Sequence, residues 1–147
     1  MEYTLRPIGV IHTPFKHKRD APIQSSRSDE AGWVEVFPEF QDGLQDLEGF
    51  SHIFLLYMFH RSSGFALRVK PFLDTSERGL FSTRYPARPN PIGLSVVRLR
   101  ELRDNLLYVD GVDVLDGTPL LDIKPYVPEF DVHTATRTGW HETRSIH

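Results

Sequence analysis

Three prolines within six residues, Pro86, Pro89 and Pro91, fix which part of this chain cannot be regular. Proline locks φ, removes a backbone donor and pushes the residue before it into extended conformation. The surrounding segment Arg78–Gly93, RGLFSTRYPARPNPIG, can therefore be neither helix nor central strand, and reads as a stiff loop. It carries Arg84 and Arg88, with Asn90 held between two prolines. A stiff loop orients guanidinium forks at low entropic cost, which suits an anionic ligand. A surface turn with solvated arginines accounts equally for the same residue types.

The rest of the chain favours strands. Eleven prolines and ten glycines stand against five alanines, a balance that suits many short strands better than long helices. The expected strands are Leu5–Ile11, Gly32–Phe37, Ile53–His60, Leu67–Phe72, Ile92–Leu102, Leu106–Val114 and Leu120–Val127. Ile53–Phe59, IFLLYMF, is apolar throughout and reads as buried on both faces. Arg103-Asp104-Asn105 between two apolar runs reads as a hairpin turn, and Phe40–Phe50 as one short helix. At 147 residues these elements make one all-β domain, a barrel or a sandwich. No two glycines lie within two positions of each other, so the G-x-G of a dinucleotide-type loop is missing.

Composition excludes several chemistries. With no cysteine there is no disulfide framework, thiolate nucleophile or cysteine-based zinc site. The seven histidines form no H-x-x-x-H or H-x-H pattern, and no metal is expected. There is no G-x-S-x-G elbow. No apolar run approaches the length that spans a bilayer and the start, MEYTLRP, is polar, so the expected location is cytoplasmic, without a membrane partner. The net charge of −3 argues against bulk electrostatic binding of nucleic acid, although a local basic face is enough to steer a polyanion.

Four blocks in order carry a resemblance. IGVIHTPFKHK followed by APIQ, then GLQDLEGFSHIFLLYMFH, RGLFSTRYPARPNPIGLS and DVLDGTPLLDIKPYVP resemble the TrmO (TsaA-like) family of S-adenosylmethionine-dependent tRNA methyltransferases. The likeness runs from about Ile8 to Pro128. It implies a single small β-barrel over residues 1–128, followed by a polar tail over 129–147 where longer relatives carry a further domain. It also implies S-adenosyl-L-methionine as cofactor, a tRNA substrate, a homodimer, and methyl transfer to N6 of the modified adenosine at position 37. The alternatives are methyl transfer to another small or RNA substrate, or a barrel that binds S-adenosylmethionine or RNA without turnover.

By the same resemblance the cofactor contacts fall on Pro22, Ile23 and Gln24, on His60 and Arg61, on Arg84, near Leu94, and on Asp116, Gly117, Thr118 and Pro119. The residue types suit the ligand. Gln24 offers donor and acceptor, Arg84 can fork onto a carboxylate, Asp116 can accept from a hydroxyl or ammonium, and Gly117 permits close backbone approach. Ile23 stands where the family often has arginine, so any charge contact made there is lost. Asp116–Pro119 is equally an ordinary turn. Asp122, Lys124 and Tyr126 share one strand face that either lines a wet cleft or is solvated exterior. Asn90 is the expected catalytic residue: by analogy with other adenine N6 methyltransferases, its side chain and a loop carbonyl would accept the N6 hydrogens. Otherwise it is a turn residue bonding its own backbone.

Overall fold

The computed structural model describes residues 1–16, 30–71 and 74–144. Six antiparallel strands close into a barrel, in the spatial order β1 (Gly9–His12), β2 (Ala31–Val36), β7 (Leu106–Asp110), β6 (Ile92–Arg103), β3 (His52–Met58) and β8 (Thr118–Pro125). Two short strands outside it, β4 (Arg68–Val69) and β5 (Arg78–Gly79), pair with each other. Closure leaves no free edge, and it leaves only one interior face for apolar side chains. Ile11, Val34, Ile53, Leu55, Val97, Leu107, Val109 and Leu120 fill that interior, each 1% exposed or less. Burying one such side chain is worth about 1.5–3 kcal/mol.

The single interior face corrects one expectation. Ile53–Phe59 is not buried on both sides: Ile53, Leu55 and Tyr57 point inward, while Phe54, Leu56 and Met58 are half-buried on the outside. Among the described residues no helix layer covers the exterior as it does in a parallel sheet. The register sets Met58 against Ile92, Leu56 against Leu94 and Phe54 against Val96, forming an apolar exterior stripe. Other expectations shift for local reasons. Gly111, at φ +91, ends β7 at Asp110 rather than Val114. The expected helix over Phe40–Phe50 is two 3₁₀ turns, Pro38–Leu44 and Leu47–Gly49, separated by Asp46 at φ +72. The strand expected over Leu67–Phe72 is only Arg68–Val69. Asp104, at φ +55, makes the expected turn between β6 and β7.

Long β6 is shared along its length. Its first half pairs with β3 and its second with β7, and a register shift between Leu99 and Glu101 bends it from one to the other. Alternation along it sends Gly93, Ser95, Val97 and Leu99 inward and Leu94, Val96 and Arg98 outward.

Strand directions then sort the connections. The β1–β2, β3–β6 and β7–β8 connections, residues 13–30, 59–91 and 111–117, all leave the barrel at one rim. The opposite rim carries residues 37–51, the β6–β7 turn, the entry to β1 and the exit from β8.

Gly93 lies opposite Tyr57, whose ring occupies the space that a Cβ at 93 would need. Gly93→Ala should therefore destabilise the fold by about 1–3 kcal/mol, an overpacking cost read from the midpoint of denaturant unfolding.

Candidate functional site

The long connection 59–91 builds the rim from its own backbone. The Arg88 guanidinium donates to the carbonyls of Thr83 and Tyr85, at 3.0 and 2.9 Å, and lies over the Phe81 ring. The Thr83 hydroxyl donates to the Leu80 carbonyl at 2.7 Å and accepts from the Tyr85 N–H at 3.2 Å. The Phe59 N–H donates to the Pro91 carbonyl at 2.7 Å, closing the base of the loop on β3. Arg88 thus holds the loop in shape. Arg84 is exposed and makes no hydrogen bond or ion pair among the described residues. A pre-ordered loop presents this guanidinium free.

Asn90 is exposed, and its side chain bonds nothing among the described residues, its own backbone included. The backbone part of the expected acceptor arrangement is altered, because the Asn90 carbonyl already accepts from the Ile92 N–H at 2.7 Å and the Pro91 carbonyl from Phe59. The side-chain amide has no such partner among the described residues.

Elsewhere the expected residues fare differently. His60 and Arg61 are exposed at the end of β3, on the same rim. Leu94, 59% exposed, points away from the interior on β6. Pro22, Ile23 and Gln24 lie outside the described residues. Asp116 has both oxygens occupied: Oδ1 accepts from the Thr13 N–H at 3.0 Å, and Oδ2 from Lys16 Nζ at 2.8 Å. The lysine holds this carboxyl below the usual carboxylate range. His12, stacked on Trp33, adds Nδ1 at 3.6 Å from Asp116 and Nε2 at 3.3 Å from Glu35. Thr118 is buried, with its hydroxyl donating to the Leu115 carbonyl, and Pro119 lies within β8. Gly117, at φ +85 with open space beside its Cα, is where the turn leaves room for close approach. On β8, Lys124 pairs with Asp122 at 3.1 Å, and Tyr126, one residue past the strand, packs against Phe54.

Three polar residues that sequence reasoning missed sit between these parts. The Tyr57 hydroxyl on β3 is 2.7 Å from Ser95 Oγ on β6, and Ser95 donates to Asp113 Oδ1 in the 111–117 connection at 3.2 Å. Tyr57 and Ser95 are 3% and 4% exposed, so the network is set in the barrel wall just inside the rim. Burial, then the Asp113 charge, pushes the Tyr57 hydroxyl far above its ordinary value, while Ser95 and the Arg84 charge oppose the shift. Burial also raises Asp113, which Ser95 partly counters. A serine and a tyrosine at inward positions of apolar strands were the available signal, but their meeting depends on the β3–β6 register.

No group of three or more His, Asp or Glu among the described residues is placed to hold a metal. A concavity of about 400 Å³ lies at the other rim, lined mainly by apolar side chains such as Ile8, Phe40, Leu44 and Phe50. Of the charged groups just described it holds Asp122, and none of Arg84, Asp113 and Asp116. Beyond the barrel, the chain returns to the 59–91 loop, where Trp140 Nε1 donates to the Ser82 carbonyl at 2.8 Å and Arg78 lies over the indole.

Residues 10–132 match the model of the tRNA-methyltransferase O N-terminal domain. The chain belongs to the TrmO family. It is 59% identical to a probable S-adenosyl-L-methionine-binding protein of Pyrococcus abyssi, over 97% of this chain and 77% of that one. It is 36% identical to the human tRNA (adenine(37)-N6)-methyltransferase, over 85% of this chain but 30% of the human one. A crystal structure of TrmO from Pseudomonas aeruginosa superposes with a TM-score of 0.79 at 40% identity, covering 95% of this chain and 62% of that one. This TrmO-family chain therefore spans less than two thirds of that solved TrmO and under a third of the human enzyme.

Proposed function

We propose that this TrmO-family chain binds S-adenosylmethionine at the rim formed by residues 13–30, 59–91 and 111–117, and methylates N6 of adenosine 37 in a tRNA. The observation that carries the reading is the free Arg84 guanidinium, held by a loop whose other arginine is committed to that loop's own carbonyls. The residues present fit the cofactor. Arg84 matches its carboxylate, and Gly117 leaves backbone space for close approach. When bound, the cofactor supplies a methyl carbon already activated by the sulfonium, so the protein's work is mainly to position the two partners. The exposed Asn90 amide oxygen can accept an N6 hydrogen, which localises the nitrogen lone pair. Segment 59–91 holds six Lys and Arg against two Asp and Glu, a local basic excess for RNA on an acidic chain. A tRNA substrate accords with the cytoplasm as its compartment, and no helix among the described residues is long and apolar enough to cross a membrane.

A second reading, a barrel that binds the cofactor without turnover, is favoured by the binding-protein name of the Pyrococcus abyssi relative. Two variants separate the readings. Arg84→Ala should weaken cofactor binding by about 1.5–3 kcal/mol by calorimetry, as for a charge-assisted bond. Asn90→Ala should lower the transfer rate at saturation and leave cofactor affinity nearly intact. If instead affinity and thermal stability fall together and the saturated rate is retained, Asn90 only shapes the loop.

The exterior stripe of Ile92, Leu94 and Val96 against Met58, Leu56 and Phe54 runs directly into this rim through Pro91. We infer that a second copy covers it in a two-fold dimer, which brings Arg61 and residues 84–91 to the subunit boundary. Light scattering should give twice the chain mass, and Leu94→Lys should shift it to one chain. A monomer at concentrations that bind cofactor would contradict the dimer.

A further inference from the structure

We propose that Asp113 is a cofactor-binding residue whose carboxylate receives the α-ammonium of S-adenosylmethionine, while Arg84 receives the α-carboxylate. The assignment rests on the cofactor reading above and names a residue that the resemblance did not place among the cofactor contacts.

The network has a direction. A serine hydroxyl has one proton, and Ser95 Oγ lies 3.2 Å from a carboxylate oxygen that can only accept, so Ser95 donates to Asp113 and Tyr57 donates to Ser95. Asp113 is the terminal acceptor of a chain anchored in two strands. Its carboxylate is fixed in place and points its remaining capacity elsewhere.

The carboxylate also lacks a counter-charge among the described residues. Asp74, Asp110, Asp116 and Asp122 each have a cation within ion-pair distance, whereas Asp113 has none among the described residues. A part-buried carboxylate with only a hydroxyl and its own backbone for partners is costly, and a ligand cation offsets that cost. Burial raises its proton affinity accordingly.

Arg84 supplies the complementary half. Among the described residues it is a cation without an anion, yet its charge reaches the Tyr57 hydroxyl that Asp113 also influences, with opposite sign. Arg84 and Asp113 do not pair with each other. Two opposite, unpaired charges flanking one hydroxyl are complementary to an amino acid zwitterion.

The sign of the Asp113 effect on folding separates this role from a structural one. A carboxyl whose folded pKa is raised is harder to ionise in the folded state, so at neutral pH its charge opposes folding. Asp113→Asn should leave the ligand-free protein as stable as before or more so. A carboxylate needed to hold the fold would give a loss.

The test is calorimetric titration of the wild type and Asp113→Asn with three probes. S-adenosylmethionine and S-adenosylhomocysteine both carry the α-ammonium, and 5′-methylthioadenosine lacks the amino acid altogether. The expected result is a loss of about tenfold or more for the first two, with 5′-methylthioadenosine unchanged and the unfolding midpoint unchanged or higher. Asp113→Ser, smaller and also neutral, should give the same pattern if the asparagine variant does not fold. Unchanged affinity for S-adenosylmethionine overturns the assignment. So does a loss confined to S-adenosylmethionine, which would point to the sulfonium, or a loss extending to 5′-methylthioadenosine with lowered stability. A wild type that binds none of the probes overturns the cofactor reading itself.

Discussion

Closure of six antiparallel strands into one barrel is the constraint on which the rest of this molecule depends. A closed sheet has one interior, filled with aliphatic side chains, and polar chemistry is driven to the rims. Because neighbours alternate in direction, the β1–β2, β3–β6 and β7–β8 connections must leave at the same rim. All the residues expected to meet the cofactor lie in those connections or within three positions of them, Leu94, Thr118 and Pro119 being on the adjoining strands. Segments far apart in the chain thus become neighbours without any of the glycine-rich phosphate-binding architecture of a dinucleotide fold.

Order at that rim comes from the wall beneath it. Gly93 is open enough for the Tyr57 ring, and that ring carries its hydroxyl to Ser95 and, through it, to Asp113. The β7–β8 connection is tied to β1 as well, since the Thr13 hydroxyl donates to the Val114 carbonyl at 2.7 Å and the Gly117 N–H to the Ile11 carbonyl at 2.9 Å. Arg88 plays the equivalent part for the proline-rich loop. Pre-ordering of this kind reduces the entropy lost when a ligand binds. It is also the physical reason that one arginine of the pair is structural and the other free.

The parts legible in the sequence were those set by local chemistry. Prolines at 86, 89 and 91 marked an irregular loop, Arg103-Asp104-Asn105 marked a tight turn, and apolar runs marked most of the barrel strands. What stayed hidden depends on register and closure. Nothing local to Tyr57 says that it faces Gly93, and nothing local to Asp113 says that Ser95 will reach it. Ile53–Phe59 misled because an apolar run does not distinguish a strand covered on both sides from one whose outer face is only half-buried. Asp116 carries the right chemistry for a ligand contact, yet Lys16 and the Thr13 N–H already engage its oxygens.

The proposed activity is tested most directly by incubating this chain with methyl-labelled S-adenosylmethionine and tRNA that lacks the modification, followed by nucleoside analysis. The account predicts label on N6 of the adenosine from position 37. Cofactor bound at the rim with no label transferred to adenosine would contradict it, and would make this barrel a binding module.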